Sequence, residues 1–378
     1  MRKFDVCIIG GGAAGLIAAA ALDENLKVCI FDKNEIPGRK LMATGGGRCN
    51  ITNDACTHKK ATLDFFASLG LETYCDEEGR YFPYSNKAKD VAEILVRAQG
   101  KNIKTFYSHK VEAVEHGETG FTVRAASGQK VVTVKAGYVI LATGGKAAPQ
   151  YGTSGDGYSI AKALGHEVSR VYPILAPVQC EESDVIDFEK VKGIRARGTV
   201  RLLKDGAPVA EAGRERGEIQ FTADGISGIC VFNLTRYITA EDGEKVEEAM
   251  GRYTLSVDLA PDLYEGSLSG RKSALGVLTG ELAASVDRYV AGAGCGVEII
   301  KDIRLGVKKV KGWRNAQCTA GGIMTSEVNM RTMESLKTPG LYIAGEVLDI
   351  QGPCGGFNLQ NAWETGYKAA RAINKKTR

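Results

Sequence analysis

Residues 4–15 of the chain are FDVCIIGGGAAG, a short apolar run followed at once by a glycine-rich turn. The run is suited to a buried parallel strand, and residues 16–22 after the turn are typical of a helix. Gly10 permits a tight turn, Gly12 lets the backbone approach a pyrophosphate, and Gly15 lets the helix pack on the strand. Strand, glycines and helix in this order predict a dinucleotide-binding fold.

The next segment supports the same prediction. Residues 27–31 form a second apolar run that ends at Asp32, about twenty residues after the glycines, where an acid accepts hydrogen bonds from an adenosine ribose. A helix N-terminus also offers N–H donors and partial positive charge to a phosphate. The residues expected to hold the ADP half of the cofactor are Gly10, Gly12, Ala13, Ala14, Gly15, Asp32 and Lys33.

Composition limits the remaining possibilities. The chain has 378 residues, which predicts two or three domains, and 47 are glycine, well above the usual share of about 7%. The net charge of +4 comes from 49 basic and 45 acidic residues spread along the chain, so neither a nucleic-acid partner nor a membrane partner is expected. Ten cysteines without a C-x-x-C pair predict no metal site and favour a reducing, cytoplasmic location.

Two later regions complete the predicted sheet. Alternating segments at 110–115, 121–125 and 130–134 predict a β-meander before a third buried strand, 139–143. Residues 340–346 predict a last strand with an acid at its tip, followed by a turn and a helix from Phe357. The cofactor contacts expected from these regions are Val111, Ala142, Thr143, Gly144, Gly345, Glu346, Gly356, Asn358 and Leu359.

The glycine spacing alone does not separate FAD from NAD, because both present ADP to the same turn. A final strand and helix that return from the far end of the chain make the sequence resemble glutathione-reductase-type flavoproteins. That resemblance implies FAD, with the late acid near the ribityl chain and the last helix directed at the flavin N1/C2=O edge. A helix N-terminus there would stabilise the negative charge of the reduced flavin.

Residues 38–53, GRKLMATGGGRCNITN, form the most specific stretch in the chain. Three glycines allow close backbone approach, Arg48 can neutralise a phosphate or polarise a flavin carbonyl, and Asn50 offers a donor and an acceptor. A structural turn with a surface arginine is the alternative. The predicted cofactor contacts are Gly38, Lys40, Thr44, Gly46, Gly47, Arg48, Cys49 and Asn50, with Arg48 and Tyr172 as the weak catalytic candidates.

This stretch resembles the bacterial YhiN/BaiN-like flavoproteins, a family of NAD(P)/FAD-dependent and aminoacetone-oxidase-like oxidoreductases. Further matches occur in family order along nearly the whole chain, at residues 153–158, 220–228, 321–323, 332–335 and 345–360. One departure is the short stretch between Asn53 and Phe65, which suggests a different substrate entrance.

The resemblance implies an α/β protein in which a Rossmann-like FAD-binding domain of the glutathione-reductase type is interrupted by a β-barrel-like insert and a small helical subdomain. The predicted bounds are 1–190 for the first part of the FAD domain, 191–262 with 302–325 for the insert, 263–301 for the helical piece and 326–378 for the returning part.

Hydride transfer between flavin N5 and an unsaturated or carbonyl-containing small molecule is the leading function that the resemblance implies. NAD(P)H is the expected reductant, bound transiently because no second strand–glycine–helix unit occurs in the sequence. The alternatives are an amine oxidase that passes electrons to O2, a flavin-dependent RNA-modifying protein and a non-catalytic redox sensor. A flavin-adjacent dithiol of Cys49 and Cys354 is a further hypothesis, and the charge run 241–248 predicts a solvated turn. The sequence carries no signal of oligomeric state.

Overall fold

The computed structural model describes residues 1–240 and 244–378, so the turn predicted at 241–248 begins outside the described residues. The chain forms two compact units. The first contains Met1–Tyr172 and Cys318–Arg378, and the second contains Pro173–Gln317.

The helices and strands have the following bounds. The strands are β1 (Arg2–Ile9), β2 (Val28–Phe31), β3 (Thr52–Asn53), β4 (Thr73–Cys75), β5 (Arg80–Pro83), β6 (Ile103–Phe106), β7 (Lys110–Gly117), β8 (Gly120–Ser127), β9 (Lys130–Leu141), β10 (Tyr172–Ile174), β11 (Val178–Cys180), β12 (Arg195–Lys204), β13 (Ala207–Pro208), β14 (Arg214–Thr222), β15 (Gly225–Ser227), β16 (Tyr253–Asp258), β17 (Ile303–Val310), β18 (Cys318–Ala320), β19 (Val328–Asn329), β20 (Glu334–Ser335) and β21 (Leu341–Ile343). The helices are α1 (Ala13–Ala21), α2 (Arg39–Ala43), α3 (Lys59–Ser68), α4 (Ala88–Arg97), α5 (Asp156–Ala163), α6 (Phe188–Val191), α7 (Ile229–Leu234), α8 (Val246–Met250), α9 (Gly280–Ala293) and α10 (Phe357–Thr377).

A parallel sheet organises the first unit. Its strands lie in the order β21-β9-β1-β2-β6, and the antiparallel strands β20 and β19 extend it beyond β21. β2 is apolar and fully buried, and so are the carboxyl-terminal parts of β1 (residues 6–9) and β9 (residues 139–141), as a sheet covered on both faces requires. The carboxyl ends of β1, β9 and β21 meet at one edge, which is where ligands bind in open α/β sheets.

The predicted β-meander is present as β7, β8 and β9. Its third strand is not a separate element, because the single twelve-residue β9 pairs with β8 and also with β1 and β21. One strand therefore joins the meander to the parallel sheet.

The second unit is built on a closed antiparallel barrel of six strands, in the order β12-β14-β15-β11-β17-β16, with β16 pairing back to β12. Its interior holds an apolar cluster that includes Val200, Leu255 and Leu305. The α/β fold with a barrel-like insert is therefore confirmed.

The boundaries of the two units differ from the predicted ones. The second unit begins at Pro173 rather than at 191, because β11 already belongs to the barrel. It ends at Gln317 rather than at 325, because Ile323 bridges to Val168 and Leu348 inside the first unit. Residues 263–301 form no separate piece in this division, since α9 packs its buried residues into the barrel's apolar cluster.

Candidate flavin site

The glycine turn between β1 and α1 brings strand and helix into direct backbone contact. A Cβ atom on Gly15 would lie 1.9 Å from the carbonyl oxygen of Gly10, so only glycine permits this approach. At Gly12, in contrast, an added Cβ would meet no atom within 4 Å. The turn is thus tightly packed at Gly15 and has open space beside Gly12.

Asp32 holds the turn from the end of β2. Its carboxylate accepts hydrogen bonds from the backbone N–H of Gly11 at 2.6 Å and of Asn34 at 2.7 Å. The side chain is 8% exposed, and burial raises its pKa while these two N–H donors oppose the rise. Asp32 therefore stabilises the backbone of the glycine turn, in addition to the contact with the adenosine ribose that the sequence predicts for it.

A charged cluster lies beside this end of the turn. Asp156, at the start of α5, accepts hydrogen bonds from Lys33 and Ser154, and its other oxygen lies 2.9 Å from Lys110 Nζ. Burial opposes ionisation of Asp156, but the hydrogen bonds from the two lysines outweigh it and lower its pKa to about 2. Asp156 lies in the 153–158 motif but was not among the predicted site residues, because only the fold brings Lys33 next to it.

The loop after α2 has an unusual backbone. Gly45, Gly46 and Gly47 all have positive φ, which places three successive residues in the region that favours glycine. Arg48 follows, exposed, with its guanidinium 4.6 Å from the centre of the Phe82 ring. Cation–π attraction stabilises this position of the guanidinium, whose Nε also donates to the Gly45 carbonyl at 3.4 Å.

Hydrogen bonds connect Ile51 and Thr52 to the last helix, α10. The Trp363 indole donates to the Ile51 carbonyl at 3.0 Å, and the Thr52 hydroxyl donates to Gln360 Oε1 at 2.7 Å. A Cβ on Gly356, the residue before α10, would lie 2.7 Å from Thr52 and 2.8 Å from Asn50 Oδ1. The structure therefore brings the 48–53 loop and the N-terminus of the 21-residue α10 together.

Glu346 is engaged on both carboxylate oxygens. One accepts a hydrogen bond from Lys40 Nζ at 2.6 Å and the other from the Thr319 N–H at 2.9 Å. The Lys40–Glu346 pair joins two predicted contacts that lie far apart in the sequence. Thr319 was not among the predicted contacts, because nothing in its local sequence indicates that its N–H binds Glu346.

Several predicted contacts have other structural roles. The side chain of Asn358 pairs with the backbone of Gly352 and Pro353, which shapes the loop before α10. Val111 and Leu359 pack in hydrophobic clusters. Any contribution of Val111 and Leu359 to cofactor binding therefore rests chiefly on their backbones.

The cysteines and Tyr172 give little support to a redox or catalytic side chain. Within the described part of the chain neither Cys49 nor Cys354 forms a disulfide, and burial raises the pKa of Cys49 to about 12. A thiol with so high a pKa is not a nucleophile at neutral pH. The Tyr172 ring lies 5.3 Å from the Arg170 guanidinium.

Two observations test whether these residues fit FAD. Buried polar atoms without a partner occur at Asn50 Oδ1 and Thr143 Oγ1, in two segments predicted to contact the cofactor. Added Cβ atoms would also meet open space within 4 Å at Gly12, Gly46, Gly47 and Gly144. Open glycine backbone together with unsatisfied buried acceptors is what a bound dinucleotide requires, so the residues fit the group.

A parallel sheet with a glycine turn at one end of the chain, a returning strand and helix at the other, and a barrel insert define a FAD-dependent oxidoreductase of the Rossmann type. The model of the HI0933-like protein Rossmann domain matches residues 4–63 and 56–372. The chain belongs to this HI0933-like family. The two matched segments overlap at residues 56–63. This overlap lies inside the stretch between Asn53 and Phe65, which is short in comparison with the family that the sequence resembles.

Two characterised relatives span nearly the whole chain. The 3-dehydro-bile acid delta(4,6)-reductase of Clostridium scindens is 34% identical over 415 positions, which cover 98% of each chain. The ribosomal RNA dihydrouridine synthase of Escherichia coli is 28% identical and covers 99% of this chain and 98% of its own. The alignments are longer than the 378 residues of the chain, so the relatives carry residues that this protein lacks.

Solved structures share the fold. The 3-ketosteroid-delta4-(5alpha)-dehydrogenase of Rhodococcus jostii has a TM-score of 0.54 at 15% identity, covering 99% of this chain and 97% of its own. A variant of E. coli quinol fumarate reductase FrdA has a TM-score of 0.53 at 17% identity, covering 100% and 71%. At these identities the likeness concerns architecture alone. Among the described residues, no helix combines the length and apolar character needed to cross a bilayer.

Proposed function

We propose that this protein reduces a carbon–carbon double bond conjugated to a carbonyl group in a small organic molecule, with FAD as cofactor and NAD(P)H as reductant. The observation that carries the proposal is the chemistry shared by the two kinds of relative. A delta(4,6)-reductase of a 3-dehydro bile acid and a dihydrouridine synthase act, by their names, on different molecules. Each name describes the addition of hydrogen to carbon–carbon double bonds conjugated to a carbonyl group, delta-4 and delta-6 in the 3-dehydro bile acid and the ring double bond in uridine.

The residues of the first unit have complementary tasks in this proposal. The turn at Gly10–Gly15 and the α1 N-terminus hold the pyrophosphate, and Asp32 holds the ribose. Asn50 and Thr143 supply buried oxygens for which the described residues offer no hydrogen-bond partner. Bound FAD would supply the hydride-transfer chemistry.

Arg48 is the cation best suited to the substrate or to a flavin carbonyl. It is exposed, lies in the glycine loop and is held against Phe82. A fixed positive charge beside an oxygen that gains negative charge during reduction stabilises that charge without reorganisation.

A small steroid-like substrate agrees with the more similar relative, at 34% against 28% identity. The nearly balanced 49 basic and 45 acidic residues also favour it over a nucleic acid, whose phosphates need clustered positive charge. The described residues contain one glycine-turn Rossmann unit, so NAD(P)H would bind only transiently to reduce the flavin.

An anaerobic two-step experiment tests the proposal. NADH or NADPH should bleach the flavin absorbance, and a 3-oxo-4-ene steroid acid should restore it while one equivalent of saturated product forms. The saturated acid serves as the control and should leave the flavin reduced. Bleaching by an amine, with peroxide on aeration and no reoxidation by the enone, would establish the oxidase instead.

Reduction of uridine in RNA is the second candidate, because two relatives at 28% and 29% identity are ribosomal RNA dihydrouridine synthases. It predicts binding to ribosomal RNA that weakens steeply with salt. Dihydrouridine formed in RNA by the purified protein, with no turnover of the steroid enone, would favour this candidate over the small-molecule reductase.

A further inference from the structure

A segment of the first unit, residues 148–156, reaches from one strand of the parallel sheet to another. It follows β9 and lies against the loop that follows β2. Since the strand order is β9-β1-β2, this crossing segment passes the carboxyl end of β1, where the glycine turn at Gly10–Gly15 begins. None of its residues was among the predicted cofactor contacts.

Two contacts fix the first part of the crossing segment on the loop after β2. The Arg39 guanidinium donates to the Gln150 carbonyl at 3.2 Å. Gly152 lies so close to Asn34 that an added Cβ atom would collide with the Asn34 amide group, and its φ of 89° also favours glycine. These contacts place the crossing segment on the residues that follow Asp32.

An ion pair holds the other end of the crossing segment. Lys33 donates to the Ser154 hydroxyl and to the Asp156 carboxylate, and the side chains of Lys33 and Asp156 are 27% and 19% exposed. Such a partly exposed pair adds little to folding, at most about 1 kcal/mol. A carboxylate beside a dinucleotide site also repels the pyrophosphate unless cations neutralise it, and Lys33 and Lys110 both contact Asp156. The place of this ion pair is therefore better explained by binding than by stability.

We propose that the crossing segment covers the adenosine half of bound FAD and that the Lys33–Asp156 ion pair keeps it closed. The inference rests on FAD as the cofactor of the proposed function and is independent of the substrate. Asp32 marks the position of the ribose, and the segment lies on the two residues that follow it. A dinucleotide on the glycine turn would thus be enclosed between the turn and the segment, and it would leave only when the segment moves away.

The test compares Asp156→Asn with Asp156→Glu and Lys110→Met. Each protein is purified with FAD bound, and FAD release is followed by the rise of flavin fluorescence after dilution. Asp156→Asn should release FAD about threefold faster or more, because Lys33 loses its anionic partner. Asp156→Glu keeps the charge, and Lys110→Met keeps the Lys33–Asp156 contact, so both should release FAD at nearly the wild-type rate.

Two fragments of the cofactor distinguish the covered half from the rest. FMN carries the same flavin without the adenosine, so its affinity for the flavin-free protein should be equal in wild type and Asp156→Asn. ADP carries the adenosine without the flavin, and its affinity, measured by calorimetry, should fall in Asp156→Asn. High salt should also speed FAD release from wild type more than from Asp156→Asn, because salt screens the ion pair.

Failure of the inference and failure of the proposed function give different results. An unchanged rate of FAD release in Asp156→Asn, or an equal loss of affinity for FMN, would overturn the inference and leave FAD as the cofactor. A wild-type release rate that does not respond to salt would overturn the ion pair as the closing contact without any variant. Purified protein that holds no FAD and cannot be reconstituted with it would overturn the proposed function and this inference together.

Discussion

The two glycine loops of the first unit differ in how their polar groups are paired. In the turn at Gly10–Gly15 the protein supplies its own partner, because Asp32 accepts the Gly11 N–H at 2.6 Å. In the loop at Gly45–Asn50 the Asn50 Oδ1 atom is buried and has no hydrogen-bond partner within the described part of the chain. Variants at the packed positions of the first loop, such as Gly15, and at its partner Asp32 should therefore alter folding and cofactor binding together, whereas those of the second loop should act mainly on ligand binding and turnover.

Gly15→Ala should have the largest effect. The new Cβ would lie 1.9 Å from the Gly10 oxygen, and forcing α1 away from β1 should cost roughly 3 kcal/mol of the free energy of unfolding. Tm of the FAD-free protein should fall by several degrees. Gly12→Ala is the matched control, since its Cβ meets open space: it should keep Tm and lose FAD. Similar Tm values for the two variants would contradict the division of tasks within the turn.

Asp32→Ala should rank second. It leaves the N–H groups of Gly11 and Asn34 without their acceptor and removes the predicted ribose contact, a loss of about 2 kcal/mol or more. FAD retained after gel filtration should drop far more than in Cys49→Ser or Cys354→Ser. Equal retention in the three variants would show that Asp32 shapes the loop without supporting the cofactor.

Arg48→Met should leave the fold intact and reduce turnover. We expect kcat/KM for the enone to fall about tenfold, which corresponds to about 1.4 kcal/mol of transition-state stabilisation. Arg80→Met is the control on the same ring, because Arg80 lies 5.8 Å from Phe82 and is paired with Asp76. If both variants lose turnover equally, the Phe82 stack rather than the Arg48 charge is responsible.

Asp156→Asn should have the smallest effect, a loss of folding stability that is present above about pH 4 and disappears in acid. The folded-state pKa of about 2 is below the ordinary 3.8, so the stabilisation is complete above about pH 4 and is lost as pH falls towards 2. Chemical unfolding across this window should show a weaker pH dependence in the variant, by less than about 1 kcal/mol because solvent screens the cluster. Asp262→Asn, an exposed partner of Arg216, should keep the wild-type profile.

Local patterns predicted the fold well where one segment determines its own geometry. The strand, turn and helix over residues 4–22 and the meander at 110–134 are short-range features, and the structure contains all of them. The domain boundaries were harder to predict from the sequence. Whether residues 178–180 join the parallel sheet of the first unit or the barrel of the second depends on strands such as β17, which lie far along the chain.

The candidate site shows the same limit. Arg48 and Asn50 could be named from the residue types in one glycine-rich stretch. The Lys40–Glu346 pair could be suggested only as two separate contacts, and Thr319 and Asp156 not at all, because their partners are set by tertiary packing.

The position of the long strand β9 in the sequence affects how the chain folds during its synthesis. Its apolar end, Val139–Leu141, is synthesised early, but its neighbour β21 emerges only after the whole barrel. A nascent chain therefore carries an open sheet edge, which invites pairing with other chains, while the barrel folds. A protein released before residue 341 should aggregate and remain colourless.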